Sequence, residues 1–438
     1  MRVDYYHTGN STEERFALDE AVIEGAWPGP LNHTIDDTNL GPYFFKVVGR
    51  KSGKILYSRG FASIFGEWQT TSEAESLNRT FHESLRFPLP AEPFNVIIEK
   101  RGADRRFKEI SSFAIEPDAA TVNRAAVAQA QVWSVFKSGE PRDKVDLLLM
   151  GDGYTAREMD KWRRDARRLA ELLFSTSPFK ERKSDFNVWA IDTPSPESGV
   201  SRPSDGVYRR SALRASYDAF GSERYVLTYD NKKMREAAAV APYEFVEIVL
   251  NDRKYGGGGI FNLYATVAAD NAFAPYIFVH EFGHHFAGLG DEYYTSDVAY
   301  QSSPDHPEPW EPNATADPQA RKWSALIQEG TPLPTPWPKD TFEADQRQTQ
   351  KQRADIRAQK RPEQEMEALF REEQRRETQL LGSSPYAGKV GAFEGAAYEA
   401  KGYYRPQVDC IMFSRDDVGF CAVCRRAIER IIDLYTGK

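Results

Sequence analysis

Between Tyr43 and about Ile115 apolar and polar residues alternate in short runs, as in Tyr43-Phe44-Phe45-Lys46-Val47-Val48 and Phe94-Asn95-Val96-Ile97-Ile98-Glu99. Turn-rich stretches separate the runs. This period of two, broken at short intervals, predicts an antiparallel β-sandwich. Around 118–138 the chain turns Ala-rich and polar, which reads as a linker with some helix. The pattern then changes. Lys144-Val145-Asp146-Leu147-Leu148-Leu149-Met150 is a compact apolar run ending at Gly151-Asp152-Gly153-Tyr154. A helix is predicted over 158–174, with Thr155 as N-cap and Glu158 at the capping-box position. Apolar runs at 186–191 and 245–250 predict further strands. Strands that alternate with helices imply an α/β unit with a mostly parallel sheet.

The expected organisation is therefore an N-terminal β-sandwich at 1–120, a linker at 121–137 and an α/β domain at 138–438. If the sandwich is independent, a fragment starting near Val132 keeps metal binding and activity. Residues 339–381 form a separate text, dominated by Gln, Arg, Glu and Lys. It reads as a solvated helical hairpin broken at Pro362 and projecting from the domain, so that a short Gly/Ser linker could replace it at little cost. Gly256-Gly257-Gly258-Gly259 lacks the Lys-Ser/Thr of a phosphate loop. It reads as the lead-in to an edge strand, Gly258-Gly259-Ile260, open to pairing with an extended peptide.

Composition narrows the function classes. The 438 residues carry a net charge of −8, which argues against nucleic acid as a partner. No apolar run is long enough to cross a bilayer. The first residues contain no apolar stretch of the signal-peptide kind, so either the protein stays in the cytoplasm or a leader has been removed. Oligomeric state leaves no mark in the sequence.

The chemistry concentrates in Val279-His280-Glu281-Phe282-Gly283-His284-His285-Phe286-Ala287-Gly288-Leu289-Gly290-Asp291-Glu292-Tyr293. On a helix, residues four apart share a face, so His280 and His284 can present two imidazoles to one Zn²⁺. Glu281 lies beside them, placed to take a proton from the attacking water. His285 points about 100° away and is read as supporting or surface. Catalytic zinc takes three protein ligands, and Gly288 and Gly290 let the chain swing back to supply the third. The spacing is similar to the metzincin pattern H-E-x-x-H-x-x-G-x-x-H, with glycine and ligand each one residue late. Asp291 is the first choice, Glu292 the runner-up and His306 a distant third. Met412, in Asp409-Cys410-Ile411-Met412-Phe413-Ser414, is the candidate for the methionine turn beneath such a zinc. Tyr403 or Tyr404, near that turn, is a candidate to stabilise the oxyanion.

Taken in order, several features resemble the IgA peptidase family of bacterial zinc metallopeptidases. They are Gly151-Asp152-Gly153-Tyr154, the tetraglycine with Ala268-Ala269-Asp270-Asn271, the 280–293 segment, Glu311-Pro312-Asn313, Gly391-Ala392-Phe393-Glu394-Gly395-Ala396, Tyr404-Arg405-Pro406, and Cys410-Ile411-Met412 before Phe420-Cys421-Ala422-Val423-Cys424. The resemblance covers about 140–438, and the N-terminal module is similar to one that precedes this domain in some members. It implies a metzincin-like catalytic domain, a protein or peptide substrate and often an exported protein. It does not imply immunoglobulin A as the substrate. The expected activity is zinc-dependent endopeptidase. The alternatives are a binding protein on a retained protease scaffold, or a zinc amidase acting on non-protein amides. Cys421-x-x-Cys424 could be a redox pair or half a zinc site, and no second Cys pair exists to complete a structural zinc. A bridge from Cys410 to Cys421 or Cys424 is the more economical reading.

Overall fold

The computed structural model describes residues 1–127, 130–296 and 305–437. Residues 128 and 129, within the expected linker, lie outside the described residues. Seven N-terminal strands form two antiparallel sheets: β1 (Arg2–Gly9), β2 (Glu14–Val22), β3 (Tyr43–Gly49), β4 (Ile55–Phe61), β5 (Arg79–Arg86), β6 (Phe94–Arg101) and β7 (Phe107–Ile115). Their orders are β2-β1-β5 and β4-β3-β6-β7. Val3, Tyr5, Phe45, Val47, Val96 and Ile98 fill the space between them. The alternating runs pick out β3, β4 and β6 within a region read as β, but pass over β1 and β2. Strand β1 buries Arg2 and Asp4, which pair with each other at 2.8 Å, so charged residues break its apolar period. Most of β2 faces outward.

The sandwich is not self-contained. Helix α1 (Ile64–Trp68) buries Ile64, Phe65 and Trp68, and these join the same apolar cluster as the residues of the following α/β unit. Backbone contacts cross as well: Ala62 N–H donates to Phe261 O at 3.0 Å, and Arg86 donates to Tyr243 O at 2.9 Å. A fragment starting at Val132 is therefore expected to expose this surface and to aggregate or bind dye as a partly folded state. A monomeric, cooperatively unfolding fragment, judged by calorimetry and light scattering, would contradict that.

The second unit is built on a mixed sheet of β8 (Val132–Phe136), β9 (Val145–Asp152), β10 (Phe186–Ile191), β11 (Phe245–Leu250), β12 (Gly257–Ile260) and β13 (Tyr264–Ala268). The order is β12-β13-β11-β9-β10-β8. Strand β9 runs parallel to β10 and β11, and β11 parallel to β13. The edges β8 and β12 are antiparallel. Where a linker with some helix was expected, β8 instead extends the sheet. The central strands are buried on both faces, which is why they read as unbroken apolar runs. Helix α2 (Met159–Leu173) follows a capping box closed by Thr155 and Glu158, and α3 (Asn231–Ala238) precedes β11. Helix α4 (Ala274–Ala287) lies against β12 and β13 and carries the H-E-x-x-H motif.

The charged segment is two helices, α5 (Lys339–Ala358) and α6 (Glu363–Gly382), separated just before Pro362 as expected. It does not project. Phe342, Ile356, Met366, Phe370 and Leu381 are buried in the main core. Phe370 packs edge-on against Tyr255 at 5.1 Å, and Phe342 stacks on Phe413 at 5.0 Å. Some of its polar residues are interior too: Gln346, Glu367, Glu373 and Glu377 are buried, and Glu373 pairs with the partly buried Arg415 at 2.8 Å. The composition misled because ion pairs supply much of this helix's inward face. A hairpin of β14 (Phe393–Ala396) and β15 (Glu399–Arg405), then α7 (Ala422–Thr436), complete the unit.

Candidate active site

Helix α4 enters with Pro275 in its first turn and ends at Gly288, whose left-handed φ of 60° reverses the chain. Gly288 N–H returns to His284 O at 3.0 Å. A Cβ on Gly288 would stand 2.7 Å from the Trp310 ring, so the turn requires glycine for space as well as for φ. The reversal brings Asp291 back over the helix. Its Oδ1 lies 3.1 Å from His280 Nε2 and 3.2 Å from His284 Nε2, and the two nitrogens are 3.1 Å apart.

The outer ring nitrogens define the tautomers. His280 Nδ1–H donates to Ile411 O at 2.9 Å and His284 Nδ1–H to Leu289 O at 2.5 Å. Carbonyls only accept, so both Nε2 atoms turn lone pairs toward Asp291. Three acceptor atoms thus converge with no donor between them, an arrangement that calls for a cation. Burial would lower the His284 pKa, but the neighbouring Asp291 raises it to about 10. Asp291 itself would be raised by burial and is instead held well below the usual carboxylate range by His284 and His280. Tyr398, in the β14–β15 turn, donates to the second Asp291 oxygen.

The donor set also fits a metal by size. A tetrahedral zinc with ligand bonds of about 2.0–2.1 Å separates its ligand atoms by about 3.3 Å. The carboxylate of Glu281 offers a further oxygen within 4.8 Å of both ring nitrogens. Burial, followed by an opposing attraction from His280, leaves its pKa raised. Met412 is fully buried beneath α4: its Sδ stands 3.2 Å from where a Cβ on Gly283 would be. Gly283, between the two histidines, is thus the residue that admits Met412, Phe420 and Leu289 to the underside of the helix.

Other expected residues sit elsewhere. Glu292 turns away from the histidines, its carboxylate taking Asn313 Nδ2 at 2.9 Å and lying 3.4 Å from Cys424 Sγ. His306 packs against Tyr403 at 5.2 Å. Tyr403 donates to Pro307 O and Tyr404 pairs with Thr315, and neither lines the cleft. His285 is wholly buried, accepting from Val246 N–H at 3.2 Å and donating to Ile260 O at 3.1 Å, and burial lowers its pKa to about 3. It ties α4 to the sheet.

The site opens into a cleft of about 420 Å³ whose lining includes Gly257, Gly259, Arg224, Tyr293, Trp310 and Tyr398. Pro42, Ser63, Gly66 and Glu67 of the N-terminal module form part of its wall. Of the three residues read as a peptide-pairing edge, Gly259 lines this cleft. Gly258 instead faces Tyr225, and Ile260 is core. The edge is also shorter than expected, since Gly257 already pairs with the Arg224–Val226 stretch through Gly257 N–H to Arg224 O at 3.1 Å. The glycines have a second reason: a Cβ on Gly259 would fall 2.3 Å from Glu281 O. Gly259→Ala is therefore expected to push α4 off the sheet, destabilising by about 1–3 kcal/mol and weakening metal binding. An unchanged denaturant midpoint and metal affinity would show that β12 yields freely.

Tyr398, Tyr293 and Arg224 were not legible from the sequence. Tyr398 is 107 residues from its partner Asp291 and stands at a positive-φ turn position just beyond the Gly391–Ala396 stretch.

The described residues thus combine a mixed α/β sheet, an H-E-x-x-H helix at the floor of a cleft and a carboxylate folded back onto both histidines. The chain belongs to the IgA peptidase M64 family, whose model matches residues 134–432, and the model of the M64 peptidase N-terminus matches residues 1–112. The protein is thus a peptidase of a metallopeptidase family, acting on protein substrates. No curated protein matches it.

Proposed function

We propose that this protein is a metzincin-like zinc endopeptidase in which His280, His284 and Asp291 hold a single catalytic Zn²⁺ and Glu281 is the general base. The observation that carries this reading is the convergence of three lone-pair-bearing atoms, 3.1–3.2 Å apart, at the floor of the cleft. Two imidazoles and a carboxylate are a zinc donor set. When bound, zinc polarises the scissile carbonyl and acidifies water.

The chain's own groups do the rest. Glu281 takes the proton of the attacking water and hands it to the leaving amine, a role that its raised carboxyl pKa favours by bringing it nearer neutrality. Tyr398 holds Asp291 in place, as Ile411 and Leu289 hold the histidines. Arg224 donates to the Tyr293 hydroxyl at 3.2 Å, which leaves the phenol proton for the developing oxyanion. Extended substrate lies along Gly259, between the zinc helix and the wall contributed by the N-terminal module.

Removing metal from the purified full chain with a chelator is expected to abolish cleavage of a peptide library read by mass spectrometry, and Zn²⁺ to restore it. Cleavage that persists without metal would sink the proposal. Asp291→Ala is expected to weaken zinc binding by about 10²-fold or more, since one of three ligands is gone. Competition with a chromogenic chelator measures this, and unchanged affinity would exclude Asp291 as a ligand.

A further inference from the structure

The three cysteines, separated in sequence from the zinc helix by more than a hundred residues, meet behind it. All are free thiols and all are buried. The bridge expected from the sequence is not formed: Cys410 Sγ and Cys424 Sγ stand 3.9 Å apart. What the sequence lacked for a metal site was a fourth donor, and the fold brings one. The carboxylate of Glu292 joins Cys410, Cys421 and Cys424, with one donor atom of each lying within 4.8 Å of the others.

From this geometry we infer a second, structural zinc site formed by Cys410, Cys421, Cys424 and Glu292. Several independent features favour a cation there. Glu292 is fully buried, and its Oε2 has no hydrogen-bond partner although Oε1 is held by Asn313. A buried carboxylate oxygen left unpaired is costly, and a metal ion satisfies it. The sulfurs are set up as acceptors: Cys421 N–H points at Cys410 Sγ at 3.3 Å and Cys424 N–H at Cys421 Sγ at 3.4 Å. Cys421 is the N-cap of α7, where the helix dipole and free N–H groups favour a thiolate. A Cys-x-x-Cys pair at a helix start, a third Cys from a preceding turn and one oxygen make a closed four-donor set with no open position, the mark of a structural rather than a catalytic zinc. Binding displaces the thiol protons to solvent.

The position explains what such a metal would do. Asp291 and Glu292 are adjacent, so consecutive carboxylates would serve the two ions. The turn between Cys410 and Met412 is shared: Ile411 O accepts from His280, Met412 packs under α4, and Met412 O accepts from Glu292 N–H at 2.8 Å. A metal at the cysteines would lock that turn, and with it the orientation of His280, to α7.

The purified full chain is expected to carry about two zinc ions, and His284→Ala about one. On reconstitution with Co²⁺, wild type and His284→Ala should both show the intense near-ultraviolet absorption of thiolate-to-cobalt charge transfer. The proposed catalytic site has no sulfur and cannot produce it, so loss of catalytic metal and loss of this site are read separately. Cys424→Ser should remove that band, and Glu292→Gln should weaken Co²⁺ retention against a chelator by about tenfold or more. Should Cys424→Ser fail to fold, the wild-type spectrum decides alone. Absence of the charge-transfer band in wild type, or an alkylated intact mass showing a native disulfide, would overturn the inference.

Discussion

Glu281→Gln is expected to retain its zinc and its fold while kcat falls by about 10²–10⁴-fold. The glutamine amide has nearly the volume of the carboxylate, so the contact of α4 with Gly257 and Gly259 persists. The ligands are untouched, because the convergent atoms belong to His280, His284 and Asp291. What disappears is the proton acceptor within 4.8 Å of both ring nitrogens. KM should change little, since Glu281 contributes to bond making rather than to ground-state binding. Stopped assays on one library-derived peptide, with metal analysis of the same sample, measure both quantities. A variant with full kcat would remove Glu281 from the mechanism. One that lost zinc would leave its role as base unresolved from a role in building the site, and Glu281→Asp would then separate them: metal retention with low kcat returns the residue to the base's role.

The second large effect lies far from the motif. Replacing 339–381 with a short Gly/Ser linker is expected to unfold the α/β unit or lower its melting temperature drastically. Five buried apolar side chains, Phe342, Ile356, Met366, Phe370 and Leu381, leave the core in that variant. Each contributes about 1.5–3 kcal/mol when fully buried. Their sum, an upper estimate, rivals the 5–15 kcal/mol or so that stabilises a typical domain. The deletion also strips Arg415 of Glu373 and leaves Glu223 without Arg353 and Arg357. A buried charge that loses its partner costs more than the pair was worth. Circular dichroism melts of the two chains decide the matter: a midpoint within a few degrees of wild type would mean that the core closes without the helices.

The two outcomes separate what was readable in the chain from what was not. Local periodicity located β3, β4, β6, β9, β10 and β11, because each strand has an apolar face or an apolar run that depends on nothing beyond itself. The H-E-x-x-H spacing placed His280, Glu281 and His284 together for the same reason: helical geometry alone puts residues four apart on one face. Even the return of Asp291 to the two histidines could be anticipated, since Gly288 and Gly290 announce a reversal a few residues long. Reading failed where side chains answer to partners distant in sequence. Strand β1 hides its period because Arg2 and Asp4 are buried against each other. Helices α5 and α6 look solvated because their inward polar residues are matched to Arg415, Glu223 and Arg253 on other elements. The tetraglycine reads as flexibility, yet Gly257 and Gly259 are small because α4 packs against them. Tyr398 reaches Asp291, and Glu292 reaches the three cysteines, only after the β14–β15 hairpin and α7 have folded back over α4. Sequence by itself determined the elements whose apolar pattern is local and the shared helix face of His280 and His284, which short-range geometry controls. The walls of the cleft, the cysteine cluster and the pairing of buried charges were decided by tertiary packing, because a buried polar residue carries no sign of its partner until the chain brings them together.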